Sequence, residues 1–340
     1  FRDVPGVKIC VFYPDGGVSP IQRSQMVTQQ GDNVAVFGIR GNFDDAQTGV
    51  KNIFAQCENG FLPGGVSRLS SANSINIGRL LPQITYYFKT YADLLACGTI
   101  QMGETVNFSV PTGNFGDIFA GFLAKELGLP LGRLVCASNA NKVLTDFLRT
   151  GIYDRNRPFH TTVSPSMDIL ISSNLERLLF HFSGENDAEV RDYMDALART
   201  GRYEVSGDIK AKLADEFWGG FCTEEATEAA IGRYQKEYGY LIDTHTAVAA
   251  EVMAQYRAAT SDDTPTVFVS TASPYKFCGA VLTAIGETPR GDGVELLDQL
   301  HEASGVPVPR RLAALKGKTR RFDKTVEKQA MEQSVLEFLQ

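Results

Sequence analysis

The chain has 340 residues, of which 43% are hydrophobic and 21% charged, and its formal net charge is -7. This composition is typical of a soluble globular protein with one large or two medium domains, and the negative charge argues against a nucleic-acid partner. No apolar run approaches the roughly 20 residues that a membrane helix requires. The six cysteines and four histidines are scattered without metal-ligand spacing, so the sequence predicts no metal site and a reduced, cytoplasmic protein.

The first hundred residues alternate strand-like and helix-like runs. Residues 7–13 and 33–41 are apolar and predict buried strands, whereas residues 20–30 and 42–57 are amphipathic and predict helices. Ser19 is the expected N-cap of the first helix, because it directly precedes a proline at the first helical position. Alternation of this kind indicates a parallel sheet with right-handed crossovers.

The next stretch continues the alternation. A long apolar-periodic run predicts one helix over residues 74–97 that closes at Gly98. The strand at residues 106–110 then enters a glycine-containing loop and another helix. A further strand, residues 132–138, leads to a helix that Gly151 is expected to cap.

The pattern changes in the second half of the chain. Residues 152–240 read mostly as helices with few strand signals, and we interpret them as a helical insertion. The strand pattern returns at residues 264–277, and the end of the chain is polar and then helical again over residues 323–339. We therefore predict three regions: a smaller α/β domain over residues 1–90, a large α/β domain over 91–286 and a C-terminal helical tail over 287–340.

The loop after the strand at residues 106–110 is a candidate phosphate site. It contains Gly113, Asn114, Phe115, Gly116 and Asp117 at the start of a predicted helix. Helix N-termini expose unpaired backbone N–H groups and a partial positive charge, and glycines allow a ligand to approach the backbone. The loop fits neither G-x-G-x-x-G nor G-x-x-x-x-G-K-[ST], so a dinucleotide fold or P-loop is not indicated. From these residues alone, a phosphate site and an ordinary tight turn remain alternatives.

A second candidate lies at the start of the predicted long helix. Asn73, Ser74 and Arg79 combine an amide, a hydroxyl and a guanidinium group near helix N–H groups. Such a set can bind an oxyanion or a phosphate. The alternative is that Ser74 only caps the helix and that Arg79 is an ordinary surface residue.

A third candidate follows the strand predicted near residue 268. Ser270, Thr271 and Ser273 lie at its carboxyl end, the edge at which open α/β sheets bind ligands. A hydroxyl group there can form a hydrogen bond with the nitrogen of a heterocycle. The alternative is a polar turn in which Ser273 caps the next helix.

Taken together, the motifs of this chain resemble the threonine synthase family, which are pyridoxal-phosphate enzymes of fold type II (tryptophan synthase β-like). The resemblance covers most of the chain and is carried by VFYPDGGVSPIQRSQM, GNFDDAQT, SSANSINIGRLLPQ, VPTGNFGDIFAGFLAKELGLP, ASNANKVLTDFLRTG, SPSMDILISSNLERL, IDTHTAVA and STASPYKF. It implies an α/β fold with two open, mostly parallel sheets flanked by helices. It also implies the conversion of O-phospho-L-homoserine and water to L-threonine and phosphate, by a monomer or homodimer with no membrane partner.

The resemblance implies roles for the three candidate sites. Gly113 to Asp117 would cradle the phosphate of pyridoxal phosphate, and Thr271 would be the hydroxyl partner of its pyridine nitrogen. Asn73, Ser74 and Arg79 would bind the phosphate of the substrate. The last loop position is often asparagine in relatives, and the aspartate found here would repel a substrate phosphate.

One family motif is missing from these 340 residues. The lysine that binds the cofactor lies in an S-F-K-D-like motif in the family, and no such motif occurs here. Lys276 and Lys142 belong to other motifs, and Lys142 is expected at the surface at a helix start. We expect the lysine, and the loop that binds the substrate carboxylate, upstream of residue 1, so that the chain as written would not catalyse the reaction.

Two other functions remain alternatives. The first is a non-catalytic threonine-synthase-like homologue that binds the phosphate or the cofactor but lacks the lysine. The second is a related pyridoxal-phosphate lyase such as a dehydratase or a sulfhydrylase. Asn73, Ser74 and Arg79 argue against this second alternative, because a small uncharged leaving group needs no phosphate-binding residues.

Overall fold

The computed structural model describes residues 1–57 and 68–339. The strands are β1 (Ile9–Pro14), β2 (Val34–Arg40), β3 (Val106–Pro111), β4 (Leu131–Ser138), β5 (Ile152–Asp154), β6 (Arg202–Glu204), β7 (Phe217–Phe221), β8 (Thr266–Phe268) and β9 (Thr325–Glu327). The helices are α1 (Pro20–Val27), α2 (Phe43–Ala55), α3 (Ile77–Leu80), α4 (Ile84–Ala96), α5 (Gly116–Glu126), α6 (Val143–Thr150), α7 (Leu175–Phe182), α8 (Asp187–Thr200), α9 (Gly207–Glu216), α10 (Glu224–Tyr238), α11 (Thr244–Thr260), α12 (Cys278–Ala284), α13 (Leu296–Ser304), α14 (Arg310–Ala313) and α15 (Met331–Leu339). Among these residues, no helix combines the length and the apolar character that crossing a membrane demands.

The chain divides into two compact units. Unit 1 comprises residues 1–70, 235–243 and 273–340, and unit 2 comprises residues 71–234 and 244–272. This division does not coincide with the boundaries at residues 90 and 286 that the sequence suggested, and the assignment of roles to those domains stays a prediction.

Unit 1 is built on a parallel sheet with the strand order β1-β2-β9. The helix that follows β1 begins as predicted, because the Ser19 side chain accepts a hydrogen bond from the backbone N–H of Gln22. In the same way Asn42 accepts from the N–H of Asp45 and caps α2, with Asp44 also in its first turn. The alternation predicted at the beginning of the chain is therefore present.

The end of the chain contributes a strand that the sequence pattern did not reveal. Residues 325–327 form β9, which lies beside β2 in parallel register with Gly38 opposite Thr325. The region predicted as a helical tail does contain α13, α14 and α15, but the helix predicted over residues 323–339 begins only at Met331, and β9 lies before it. A strand of three residues is too short to show the alternation by which a strand is predicted.

Unit 2 is built on a four-stranded parallel sheet with the order β7-β4-β3-β8. All six residues of the central strand β3 are buried, as expected for a parallel strand covered on both faces. Helices α5 and α11 pack against β3 and β4, and most of their residues are buried. The predicted fold class, parallel sheets flanked by helices, is confirmed.

The prediction of one long helix over residues 74–97 is wrong in two respects. It begins only at Ile77, after Asn76 accepts a hydrogen bond from the N–H of Gly78 as N-cap. A 3-10 turn at Leu81–Gln83 then separates α3 from α4. Proline lacks an N–H group and its ring clashes with the preceding turn, so Pro82 accounts for the interruption. The predicted end is close, since α4 closes at Ala96.

Residues 152–240 contain the predicted helices together with three strands that were not predicted. Strands β5 and β6 form an antiparallel pair. Strand β7 forms the edge of the main sheet, with Leu134 of β4 opposite Phe217. The segment Phe217-Trp218-Gly219-Gly220-Phe221 has two glycines, a residue type that is depleted in strands, which explains why its pattern gave no strand signal.

Candidate functional site

The strand order of unit 2 reverses at one point of its sheet. From β3 the chain proceeds to β4 and β7 on one side, whereas β8 lies on the other side of β3. The order therefore reverses between β3 and β8, and ligands of open α/β sheets bind at the carboxyl ends of the strands at such a point. The loop at residues 112–115 leaves the carboxyl end of β3, and Thr271 lies three residues beyond the end of β8. Two of the predicted sites thus share one edge of the sheet.

The loop after β3 presents its backbone N–H groups without protein partners. From Gly113 to Asp117, no backbone N–H group donates a hydrogen bond to any residue that the structure describes. Phe115, at the N-cap of α5, has the left-handed conformation with φ 62°. A left-handed residue followed by a helical one turns successive N–H groups toward a common point, which is the geometry of an anion-binding nest. The loop has the backbone arrangement expected of a phosphate site.

The strain at Phe115 is held by packing. A left-handed conformation is uncommon for a residue with a bulky side chain. The Phe115 ring is 1% exposed, and its centre lies 5.5 Å from that of Phe217 on β7. This buried contact fixes the backbone conformation on which the orientation of the N–H groups depends.

Ser74 lies directly beside this loop. A Cβ atom on Gly116 would lie 3.3 Å from the Ser74 Cβ, a tight contact that shows how closely Ser74 approaches the first residue of α5. The Ser74 Oγ accepts a hydrogen bond of 3.1 Å from Nδ2 of Asn174. The same Asn174 nitrogen donates to the carbonyl oxygen of Asn114 at 2.8 Å. The structure thus brings Ser74 and the glycine loop together through one buried amide.

The serines before α7 hold the other side of the loop. Ser172 Oγ donates to the carbonyl oxygen of Gly113 at 3.0 Å, and Ser173 Oγ donates to Oδ1 of Asn114 at 3.2 Å. The backbone N–H of Asn174 donates to the Asn114 carbonyl at 3.1 Å. These bonds hold the loop through its carbonyl and side-chain oxygens and use none of its backbone N–H groups.

The buried carboxylate of Asp168 fixes a second segment, the turn Pro165–Met167, that lies against the loop. Asp168 is 3% exposed and accepts hydrogen bonds from Nδ2 of Asn139 at 2.7 Å and of Asn141 at 3.0 Å, and from Oγ1 of Thr162 at 2.7 Å. Burial raises the pKa of Asp168 above its usual range, and the hydrogen bonds from Thr162 and Asn139 oppose that rise. Asp168 ends the 3-10 turn Pro165–Met167, whose Ser166 carbonyl would lie 2.8 Å from a Cβ on Gly113.

Asp117 occupies the first turn of α5 and is half-buried. The Tyr87 hydroxyl donates to its backbone carbonyl at 2.9 Å and lies 3.2 Å from Oδ1. Burial raises the pKa of Asp117 to about 6, against the lowering effect of the Tyr87 hydrogen bond. Asp117 is therefore a carboxyl group with a raised pKa at the last position of the loop.

The other two members of the Ser74 group are placed differently. Asn73 is exposed, and its Oδ1 accepts from the N–H of Ile75 at 3.2 Å and from Oγ of Ser71 at 2.6 Å. Arg79 is exposed on α3, which lies against α5, and within the described residues it forms no ion pair or hydrogen bond through its side chain. The predicted N-cap alternative for Ser74 is wrong, because Asn76 caps α3.

The three hydroxyl residues that follow β8 have different contacts. Thr271 is exposed, Ser270 Oγ accepts from Oγ1 of Thr246 at 3.1 Å, and Ser273 caps the 3-10 turn Pro274–Lys276 through the N–H of Tyr275. The capping alternative is thus correct for Ser273 and leaves Thr271 as the candidate.

Lys142, by contrast with the expectation of a surface residue, is half-buried at the start of α6. Its Nζ atom lies 4.4 Å from the ring centre of Phe221 on β7. This position allows a cation–π interaction, which accounts for the burial of the lysine stem. In the described part of the chain, no three acidic, histidine or cysteine side chains are arranged to hold a metal ion.

Sequence reasoning missed the residues that support the loop. Ser172, Ser173, Asn174 and Arg177 lie in a motif that carried the resemblance, but no pattern within it indicated a site. The only available signal was an asparagine and an arginine three residues apart at a helix start. Because Asn174 and Ser74 are 100 residues apart, their contact depends on the tertiary fold.

Three comparisons with known proteins agree. The family model described as "Threonine synthase, C-terminal" matches residues 246–335. The threonine synthase of Pseudomonas aeruginosa is 40% identical over 292 residues, which cover 85% of this chain and 59% of that protein. Human threonine synthase-like 1 is 39% identical over 287 residues, which cover 84% of this chain and 38% of that protein.

The similarity extends to solved structures. The crystal structure of threonine synthase from Brucella melitensis, described as having pyridoxal phosphate bound, superposes with a TM-score of 0.78 at 36% identity. The match covers 99% of this chain and 67% of that one. Against the two curated relatives above, the chain spans about two fifths to three fifths of their lengths.

Proposed function

The chain belongs to the threonine synthase family, and from this we propose that it forms the phosphate-binding part of a threonine synthase. The proposed reaction converts O-phospho-L-homoserine and water to L-threonine and phosphate with pyridoxal phosphate as cofactor. The observation that carries the proposal is the set of unpartnered N–H groups from Gly113 to Asp117, with Ser74 beside them. One polar surface would then serve two phosphates, that of the cofactor and that of the substrate.

The loop after β3 fits the phosphate group of the cofactor. Its N–H groups supply donors at the positive end of α5, and an anion is stabilised there without a charged side chain. Thr271 would donate to or accept from the pyridine nitrogen, because its hydroxyl is exposed at the neighbouring strand end. When bound, pyridoxal phosphate supplies an electron sink for the removal of protons next to the substrate amine.

Ser74 and Arg79 would act on the substrate phosphate. Both precede or lie on the short helix beside α5, and Ser74 contacts its first residue. A guanidinium group binds a phosphate through two parallel hydrogen bonds and stabilises the negative charge on the departing group. Asn73 uses its side-chain oxygen in a local turn, so its Nδ2 group is the part that would reach the substrate.

The alternative function is a threonine-synthase-like protein that binds the same ligands without turnover. One observation favours keeping it: one of the relatives that the chain matches is itself named threonine synthase-like. In that case the loop and Ser74 would bind phosphate compounds, but no lysine would hold the cofactor covalently.

The test uses the protein encoded by the complete gene. Its visible absorbance is recorded, O-phospho-L-homoserine is added, and free phosphate and threonine are measured together. Equal amounts of both products and a change in the absorbance of the bound cofactor are expected. Arg79→Ala should then lower kcat/KM by roughly a hundredfold, since an arginine that stabilises a leaving phosphate contributes a charge-assisted bond. A folded protein that binds the cofactor but releases neither product would instead establish the non-catalytic alternative.

A further inference from the structure

A buried amide connects the two proposed phosphate sites. Asn174 precedes α7 and is fully buried, at 0% exposure. Its Nδ2 group donates to Oγ of Ser74 at 3.1 Å and to the carbonyl oxygen of Asn114 at 2.8 Å. No other described side chain bonds both the Ser74 hydroxyl and the glycine loop. The position of the Ser74 hydroxyl therefore depends on the position of the glycine loop.

The orientation of this amide is fixed by partners with only one possible role. Its Oδ1 atom faces Nη1 of Arg177, and a guanidinium group can only donate hydrogen bonds. Its nitrogen faces the Asn114 carbonyl, which can only accept. Exchanging the oxygen and the nitrogen would oppose two acceptors on one side and two donors on the other.

Arg177 also anchors the segment that carries Ser74. Its Nη1 atom donates to the carbonyl oxygen of Ser74 at 3.2 Å, and Nη2 donates to that of Ile75 at 2.9 Å. The guanidinium group is thus shared between the Ser74 backbone and the Asn174 side chain. This arrangement holds the backbone at Ser74 and Ile75 and does not use the proton of the Ser74 hydroxyl.

The direction of the amide determines what the Ser74 hydroxyl can do. A hydroxyl group has one proton and two acceptor positions. Because an amide nitrogen can only donate, Ser74 Oγ must accept from Asn174, and its own proton remains available. No residue that the structure describes accepts that proton. It can therefore be donated to an anion next to the first turn of α5.

We propose that Asn174 is a positioning residue that makes the Ser74 hydroxyl a hydrogen-bond donor toward the phosphate of the substrate. Arg177 completes the directional chain: it donates to Asn174, Asn174 donates to Ser74, and Ser74 donates to the phosphate. The inference rests on the proposed function, since it takes the anion beside Ser74 to be the substrate phosphate. It adds a residue that touches neither substrate nor cofactor.

The test is a double-mutant cycle on the complete gene product loaded with pyridoxal phosphate. Loading fills the cofactor site, so that inorganic phosphate, the proposed product, reports on the Ser74 side. Phosphate binding is measured by calorimetry for wild type, Ser74→Ala, Asn174→Ala and the double variant. Each single variant should weaken phosphate binding roughly tenfold, and Asn174→Ala should weaken it by less than about twofold when Ser74 is already alanine.

A matched control separates positioning from general stability. Asn107 is equally buried at the opposite end of β3, where its side chain bonds Asp262 and the N–H of Arg133. Asn107→Ala should lower the melting temperature and leave phosphate affinity unchanged. If Asn174→Ala does not fold, Asn174→Ser takes its place in the cycle.

The outcomes distinguish this inference from the proposed function. Additive losses in the cycle would overturn the positioning role of Asn174 even if the enzyme releases threonine. Conversely, if no turnover occurs but the losses in phosphate binding are non-additive, the positioning role stands and the proposed reaction fails. In an active enzyme we also expect KM for O-phospho-L-homoserine to rise in Asn174→Ala, with a smaller change in kcat.

Discussion

The carboxyl group of Asp117 shows how one residue couples the loop to pH. Its pKa is raised to about 6 because burial disfavours the charged form, and it is the last residue of a loop whose N–H groups have no partner among the described residues. At neutral pH most Asp117 side chains are ionised, and their negative charge would repel a phosphate dianion in the loop. An asparagine at this position would keep an acceptor for the Tyr87 hydroxyl without carrying the charge.

The stability of the fold should therefore depend on the charge of Asp117. Below about pH 4 the carboxyl group is protonated in both the folded and the unfolded chain. Between about pH 4 and 6 the Asp117 carboxyl ionises in the unfolded chain but not in the folded one. Its contribution to the free energy of unfolding therefore falls as pH rises, and above pH 6 this contribution is constant. Asp117→Asn removes this loss and should raise the free energy of unfolding by about 3 kcal/mol at pH 8 and by only about 0.5 kcal/mol at pH 4. Urea unfolding at the two pH values measures the difference.

Tyr87 provides the control for this prediction. Its hydroxyl hydrogen bond lowers the pKa of Asp117, so in Tyr87→Phe the pH at which stability levels off should move upward. An equal gain for Asp117→Asn at both pH values would contradict the argument, because it would show that the effect does not come from titration.

At the scale of the element, the conformation of the loop after β3 depends on close backbone approach. A Cβ atom on Gly113 would lie 2.8 Å from the carbonyl oxygen of Ser166, and the Asp168 hydrogen bonds prevent that turn from moving away. Gly113→Ala should therefore displace the loop, lower the free energy of unfolding by about 1–3 kcal/mol and weaken cofactor binding roughly tenfold. Titration with pyridoxal phosphate and urea unfolding measure the two effects.

Gly207 is the matched control for this substitution. It is the first residue of α9, and a Cβ atom there would meet no atom within 4 Å. Gly207→Ala should stabilise the fold by a few tenths of a kcal/mol, because alanine restricts the unfolded chain. Similar destabilisation in both variants would argue against the close approach at Gly113 as the cause.

The sequence was informative where local rules determine the structure and uninformative where distant segments meet. The strand, loop and helix around Gly113 and the cap at Ser19 follow from local patterns, and all are present. The partners of the loop could not be found in this way. Asn174 contacts residues 60 and 100 positions away, and each of those contacts forms only in the folded chain.

At the scale of the whole molecule, the two ends of the chain meet in unit 1. Strand β9 lies beside β2, and Met331 at the start of α15 is 1% exposed among Ile39, Ile53 and Val326. The end of the Met331 side chain packs against Gly49 of α2, where a Cβ atom would lie 2.8 Å from the Met331 Cε unless that side chain shifted. Residues between Val326 and Leu339 thus belong to a core that also contains Ile39 and Ala46.

Met331→Ala should consequently destabilise unit 1, because the substitution removes a side chain that the end of the chain contributes to the core of that unit. Removing a buried methionine side chain leaves a cavity, and such substitutions lower the free energy of unfolding by about 2–5 kcal/mol. Met102→Ala is the control, since Met102 is 81% exposed and its loss should change stability by less than about 0.5 kcal/mol. Hydrogen exchange read by mass spectrometry would locate the effect: peptides from β1, β2 and β9 should lose protection in Met331→Ala, and those from β3 and β4 should keep it. Loss of protection in both sheets would mean that the two units unfold as one cooperative structure, and the core at the chain ends would then support the phosphate site as well.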